Sequence, residues 1–414
     1  MVITNWAGNV TFSARQLHRP ASVAELRELV AGADKLRILG SGHSFNHIAD
    51  TTGYLVSLAD LPPVISLDEV HGTVTVSPGL RYGEVVPQLH AAGYALHNLG
   101  SLPHISIAGA CATGTHGSGV GNGTLASAVV ALDLVTADGE LRTIGRDDEL
   151  FPAAVVGLGA LGVVTSLTLA LRPAFDVAQC VYDDLPYSAA LDGFDAIMTS
   201  GYSVSLFTDW AGPRFNQVWV KQLAPAPAPP RRWHGATLAD APRHPVPGMS
   251  AEHCTEQMGA PGPWHARLPH FRLEFTPSSG EELQSEYFVP RDQAVSGLAA
   301  LDGLRDRIAP VLQISEVRTI AADDLWLSPS YRRDTVAFHF TWVKDTEAVL
   351  PVLAEIEAAL APFDARPHWG KLFTMAPEVV AARYTRLSDF AALARHLDPN
   401  ATFHNPFLSH HLPS

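Results

Sequence analysis

Five groups of residues have the types and spacing to do chemistry. Gly40-Ser41-Gly42-His43 places two glycines one residue apart and a histidine directly after them. Such a loop lets the backbone come close to a ligand, and its successive N–H groups can form an anion-binding concavity. A histidine at that place can serve as a base, a metal ligand or a nucleophile, or can sit solvated on an ordinary turn. A second small-residue stretch, Gly109 to Gly119, alternates glycine and alanine with Cys111, Thr113, Thr115, His116 and Ser118. Small side chains let a backbone wrap a large phosphate-bearing ligand while hydroxyls add donors. Ala110, Cys111 and Ala112 argue against a flexible linker. In the second half, Glu316 and Arg318 alternate on one expected strand and His339 and Thr341 on the next. Each pair therefore leaves one face of a sheet. Lys371 follows Pro367-His368-Trp369-Gly370. Carboxylate, guanidinium and ammonium on one face are costly if buried without a ligand. A structural ion pair on a solvated face is the alternative.

Other chemistries lack an anchor. Gly157-Leu158-Gly159-Ala160-Leu161-Gly162 has the spacing of a dinucleotide fingerprint. A true one follows a strand and opens a helix. Here a helix-like segment precedes it and Val163-Val164-Thr165 follows, so a nicotinamide site is not expected. Neither a Walker A loop nor H-E-x-x-H occurs, and despite 19 histidines no catalytic metal is expected. A net charge of −14 disfavours nucleic acid and anionic membrane as partners. Three scattered cysteines, Cys111, Cys180 and Cys254, suit neither a disulfide framework nor a zinc site, and fit a reducing cytoplasm. The N-terminus lacks the basic and apolar regions of a signal peptide. The uncharged run 151–171 carries Pro152 and three glycines, so it reads as a helix end, a turn and a buried strand rather than a membrane span.

These residues need elements to hold them. With 414 residues, 47% hydrophobic and 17% charged, the chain is long enough for two or three domains with large cores. Ser22-Val23-Ala24-Glu25 is a capping box opening a helix that Gly32 stops, and Leu36 to Leu39 is a short strand leading into the histidine loop. Strands are expected at 54–58 and 73–77, a helix at 82–92, a hairpin over 129–144 around Asp138-Gly139, and a strand at 163–171. Proline and arginine then mark 225–247 as a surface excursion. Strands at 204–207, 218–221, 271–275, 286–289, 311–320 and 335–344 alternate with helices at 294–308, 348–360 and 389–397. This pattern is α+β, with a sheet covered on one face.

In combination, Asn5-Trp6-Ala7-Gly8-Asn9, Gly40-Ser41-Gly42-His43-Ser44-Phe45, Ser101-Leu102-Pro103-His104-Ile105-Ser106, Ala112-Thr113-Gly114-Thr115-His116-Gly117, Glu316-Val317-Arg318-Thr319 and His368-Trp369-Gly370-Lys371 resemble the vanillyl-alcohol-oxidase-type flavoproteins. Within that group they are similar to bacterial alditol oxidases, over almost the whole chain. The resemblance implies a two-lobed fold: an FAD-binding domain of the PCMH type over residues 1–173, a substrate domain over 174–380, and a C-terminal segment, 381–414, packing back near the first. It implies FAD bonded to His43 through the 8α-methyl of the ring. The matching FAD contacts are Gly40, Ser41, Gly42, His43, Ser44, Phe45, Ser101, Gly109, Ala112, Thr113, Gly114, Thr115 and Val164, with His368 at the ring. The matching polyol contacts are Ser101, Glu316, Arg318, Thr341 and Lys371. Glu316, Arg318 and Lys371 carry the catalysis, with Lys371 crowded by the guanidinium into acting as a base.

The reaction implied is oxidation of a polyol at C1 with dioxygen going to hydrogen peroxide. The partners implied are then a small polyol and dioxygen, for a cytoplasmic chain acting as a monomer. Two departures stand out. Gly100 replaces an alanine common in relatives, which favours oxidase over dehydrogenase behaviour. No cysteine stands where some relatives have a second flavin bond, so a single bond is expected. A sugar-1,4-lactone oxidase and a catalytically silent flavin- or sugar-binding protein are the competing readings.

Overall fold

The computed structural model describes residues 2–274 and 281–413. Among the described residues the first half forms two main sheets, besides a two-stranded pairing of Tyr94–Ala95 with Arg172–Pro173. Strands Gln16–His18 (β1), Leu36–Ile38 (β2) and Tyr54–Val56 (β3) pair in parallel, in the order β1-β3-β2. Helix Val23–Ala31 (α1) connects β1 to β2 and buries Leu26 and Val30. Ser22 caps it by accepting the Glu25 N–H, while the Glu25 carboxylate reaches Ala21 rather than closing the box on Ser22. The second sheet is antiparallel, built from Ile65–Asp68 (β4), Thr73–Val76 (β5), Val129–Val135 (β6), Leu141–Gly145 (β7) and Val163–Ala170 (β8), in the order β4-β5-β8-β6-β7. Residues of β8 alternate strictly between buried and half-buried, so one face of the strand is packed inward.

The second half is organised on one large antiparallel sheet. Its main strands are Asp176–Pro186 (β9), Ser203–Thr208 (β10), Arg214–Leu223 (β11), Glu282–Pro290 (β12), Leu312–Ile320 (β13) and Thr335–Val343 (β14). They run in the order β9-β11-β10-β13-β14-β12. Alternation divides the faces. Val317, Phe338, Phe340, Trp342, Leu283 and Tyr287 join the apolar core beneath helices Ala294–Asp302 and Thr346–Leu360. The latter helix is capped by Asp345 and presents Val349, Val352, Leu353, Ile356 and Leu360 at helical spacing. The intervening residues of the same strands face the cavity.

Several expectations are corrected. The helix expected over 294–308 breaks at Gly303 and resumes at Arg305–Ile308. Residues 271–274 form no strand beyond a single bridge from Phe271 to Cys254, and Phe275 lies outside the described residues. The excursion at 225–247 is not bare loop: Arg232–Trp233 and Ala236–Leu238 pair with each other and extend the large sheet beyond β9. The small-residue stretch begins inside a helix, Ile107–Ala112. The run 151–171 resolves into a short helix, Phe151–Ala154, a turn and β8, and no helix among the described residues is long and apolar enough to cross a membrane.

The chain's tail returns to the first half. Leu36 N–H donates to the Thr402 carbonyl at 2.8 Å, and Asn405 donates to the carbonyls of His47, Ile48 and Asp50. The Gly157–Gly162 stretch has a structural use. The Gly159 and Leu158 carbonyls accept from the buried Arg37 guanidinium, which also reaches Ile48 and Phe403.

Candidate functional site

A cavity of about 750 Å³ lies between the two halves. Its wall includes Gly40 through Phe45, Ser101, Gly109, Ala112, Thr113, Thr115, Val164, Glu316, Arg318, Thr341, His368 and Lys371. The histidine loop, the small-residue stretch and the sheet face therefore converge as the sequence suggested. Gly114 does not. It turns the chain at φ +70°, where a side chain is strained, and an added Cβ would come 2.7 Å from Pro329 Cδ.

The histidine loop is braced from three sides. Asn5 and Asn9 donate to the carbonyls of Ser44 and Phe45 at 2.9 and 2.8 Å, and the Trp6 N–H donates to the Gly42 carbonyl. The Trp6 ring stacks on His43 at 4.6 Å. Asn46 donates to the carbonyls of Trp369 and Lys371 at 2.9 and 2.7 Å, and Phe45 N–H donates to Gly370. Two motifs more than 300 residues apart are joined in this way. Within the brace, both His43 ring nitrogens are buried and make no hydrogen bond. Burial lowers the imidazole to about 4, against a partly opposing Ser41 backbone. At neutral pH the ring is uncharged, with a free lone pair beside the cavity.

The sheet face supplies the other part. Pairing places Glu316, His339 and Glu286 in one row across β13, β14 and β12. Arg318 lies one step along, opposite Ala337, whose small side chain leaves the guanidinium room. Glu286 is the hub. Its two oxygens meet Arg318 Nη2 at 2.6 Å and Lys371 Nζ at 2.7 Å, and His116 Nε2 lies 3.2 Å away. Burial opposes the charged form of Glu286, but Lys371, Arg318 and His116 outweigh it and hold the carboxyl well below the ordinary range. Glu316 is likewise held ionised: Arg318 and His270 outweigh its burial. Lys371 Nζ lies 2.9 Å from His339 Nδ1, whose Nε2 faces Thr341 Oγ1 at 3.2 Å. Arg318 also reaches Ser101 Oγ at 3.5 Å, and His368 Nε2 faces Thr115 Oγ1 at 3.5 Å.

Lys371 holds its proton less firmly than a free lysine, chiefly because it is buried. Glu286 opposes that shift and Arg318 adds to it. The expected cause, guanidinium crowding, is therefore secondary. Glu286 escaped the sequence reading, although a lone carboxylate in the apolar run Tyr287-Phe288-Val289 was the available signal. Lys221 and His270 were missed too. At Gly100 an added Cβ would meet nothing closer than 3.6 Å, so packing does not require glycine there.

The residues present fit a flavin. The orphaned His43 nitrogens need a partner, and at Gly40 an added Cβ would fall 2.5 Å from Ser106 Oγ. Gly42 turns the loop at φ +72°, where a side chain is strained. Among the described residues no group of three or more His, Cys, Asp or Glu could hold a metal ion.

Comparison with known proteins accords with this geometry. An FAD-binding domain family matches residues 14–145, and the D-arabinono-1,4-lactone oxidase family matches residues 280–411. The chain is 56% identical over 409 residues to an alditol oxidase of a Streptomyces species, covering 98% of each. It is 31% identical over 425 residues to L-gulono-1,4-lactone dehydrogenase of Mycobacterium tuberculosis, covering 98% of this chain and 97% of that one. In fold it matches cholesterol oxidase from B. sterolicum with a TM-score of 0.82 at 15% identity, over 100% of this chain and 96% of that chain.

Proposed function

The chain belongs to the family of FAD-dependent oxidoreductases that includes alditol oxidases and sugar-lactone oxidoreductases, and we propose that within it this protein is an alditol oxidase. It converts the C1 hydroxyl of an open-chain polyol such as xylitol or sorbitol to the aldehyde, with dioxygen reduced to hydrogen peroxide. One observation carries the reading: Ser101, Glu316, Arg318, Thr341 and Lys371 share one cavity wall with His368 and the unpartnered His43. A polyol is uncharged and rich in hydroxyls, so its site needs both donors and acceptors. Glu316 accepts, Arg318 and Lys371 donate, and Ser101 and Thr341 do both.

FAD when bound supplies a two-electron acceptor that dioxygen can reoxidise. His43 would hold it by a single bond to the 8α carbon, in place of one hydrogen there. An uncharged imidazole without a hydrogen-bond partner has the lone pair that such a bond requires. His368 and Thr115 stand on the ring side of the cavity. Lys371 in its amine form, which burial favours, takes the C1 hydroxyl proton, and Arg318 stabilises the alkoxide that forms. Glu316 and Thr341 orient the hydroxyls further along the chain. Glu286 keeps the two cations at fixed positions. Gly100 leaves its part of the wall free of a Cβ, which favours access by a small oxidant.

Purified protein expressed with ample riboflavin should be yellow and should keep its colour in the pellet after trichloroacetic acid precipitation; His43→Ala should lose it to the supernatant. Peroxide release with xylitol or sorbitol, and little with L-gulono-1,4-lactone, is expected. Release with the lactone alone would make the protein a lactone oxidase, and release with neither would remove the oxidase reading.

A further inference from the structure

Glu316 is held by His270, a neighbour on the cavity wall that the reaction above does not use. Its Oε1 meets His270 Nε2 at 2.8 Å, while Oε2 faces Arg318 Nε at 3.7 Å. The other nitrogen of His270, Nδ1, lies 3.2 Å from Lys221 Nζ on β11. Lys221 is 1% exposed and also donates to the carbonyls of Leu268 and Pro269. The ammonium form of Lys221, which Glu316 favours, can only donate. His270 Nδ1 must therefore accept, which places the imidazole proton on Nε2, where it is donated to Glu316. Lys221, His270 and Glu316 form a chain of hydrogen bonds with one direction. The His270 ring is wedged edge-on against Trp219 and Phe207 at 5.1 and 5.5 Å. Its backbone N–H donates to the Ser101 carbonyl at 3.0 Å. A single residue thus holds two substrate-facing groups, one from each half of the chain.

We infer that Lys221 and His270 are positioning residues that lock Glu316 as an oriented, ionised acceptor and so set the affinity for polyol. The inference rests on the polyol-oxidising reading above. Lys221 is not on the cavity wall and acts only through His270. Burial lowers its ammonium to about 7, with Glu316 opposing. So costly a side chain has no packing purpose, because methionine would fill the same space without a charge to desolvate.

The test uses the flavin-loaded full chain and three variants: Lys221→Met, His270→Gln and His270→Leu. Glutamine keeps an N–H that can reach Glu316; leucine keeps none. Peroxide release gives KM and kcat for xylitol, and bound flavin reports folding. Lys221→Met and His270→Leu should raise KM at least tenfold while kcat falls by less, and His270→Gln should recover most of the loss. Should His270→Leu fail to load flavin, Lys221→Met and His270→Gln decide the matter. Values of KM within twofold of wild type in the folded variants, or a glutamine variant no better than the leucine one, overturn the inference. A wild-type chain that releases no peroxide with any polyol would instead remove the reading beneath it, and the inference with it.

Discussion

Replacing Glu286 with glutamine is the perturbation that asks most of this structure. The substitution keeps the shape and one acceptor oxygen but removes the charge between Arg318 Nη2 at 2.6 Å and Lys371 Nζ at 2.7 Å. At an effective dielectric of about 20, each contact is worth roughly 6 kcal/mol of Coulomb attraction. Removing the carboxylate also removes its own desolvation cost, so the net loss is that of breaking a buried pair, about 3 to 5 kcal/mol. Over 414 residues the unfolding entropy is about 0.9 kcal/mol/K, which turns that loss into a Tm lower by roughly 3 to 6 °C.

The same change acts on the base. A negative neighbour favours the charged form of Lys371, and Glu286 is the main group opposing its downward shift. Without Glu286 the lysine releases its proton at lower pH. The limb of the pH–rate profile that reports Lys371 deprotonation should then move to more acid pH. The maximal rate should fall because Arg318 and Lys371 lose their common anchor. Thermal unfolding followed by flavin fluorescence gives the first quantity, and anaerobic flavin reduction by xylitol in a stopped-flow instrument across pH gives the second. A Tm within 1 °C of wild type together with an unmoved pH profile would refute the hub.

Other consequences are simpler. Lys371→Met should slow anaerobic flavin reduction by about 10² or more, since it removes a positioned proton acceptor; an unchanged rate would take Lys371 out of that role. Arg37→Leu leaves the carbonyls of Leu158, Gly159 and Phe403 without their donor and that of Ile48 with Asn405 alone. At about 1 to 3 kcal/mol per orphaned group, a loss of at least about 3 kcal/mol is expected in denaturant unfolding, and a loss under 1 kcal/mol would show that water replaces the guanidinium. Stability should fall on acidification in two stages. His270 is held down to about 4, below its ordinary 6.5, so the unfolded chain binds more protons in that window and stability declines as pH drops through it. Glu286 and Glu316 are held ionised below the ordinary 4.5, so their contribution is present above that value and is lost as pH falls further. A Tm flat from pH 7 to pH 4 would contradict the first stage, and one flat below pH 4 the second.

What the residues disclosed unaided was local in origin. The Ser22 cap, the Asp138-Gly139 hairpin, the alternation in β8, and the glycines that let a backbone approach a ligand are each settled within a few residues of themselves. Non-local pairing settled the rest. Gly157 to Gly162 has the spacing of a nucleotide loop, but its use depends on Arg37, some 122 residues earlier. Glu286 matters because register sets it beside His339 and, beyond that, Glu316. Yet two of the missed residues, Lys221 and Glu286, share a legible mark with Glu316 and Arg318, which were read. Lys221 ends the run Val218-Trp219-Val220, Glu286 precedes Tyr287-Phe288-Val289, and Glu316 and Arg318 flank Val317, all buried. A charge inside a buried strand is tolerable only beside a partner. Strands carrying isolated lysine, glutamate and arginine must therefore lie where those groups meet, or at a ligand that replaces one of them. Here both conditions hold at once: Glu286 neutralises Arg318 and Lys371, and Glu316, tied back through His270 to Lys221, keeps an oxygen on the cavity side. The cost of burying charge couples the order of the strands to the position of the site, so a pairing that satisfied one would place the other.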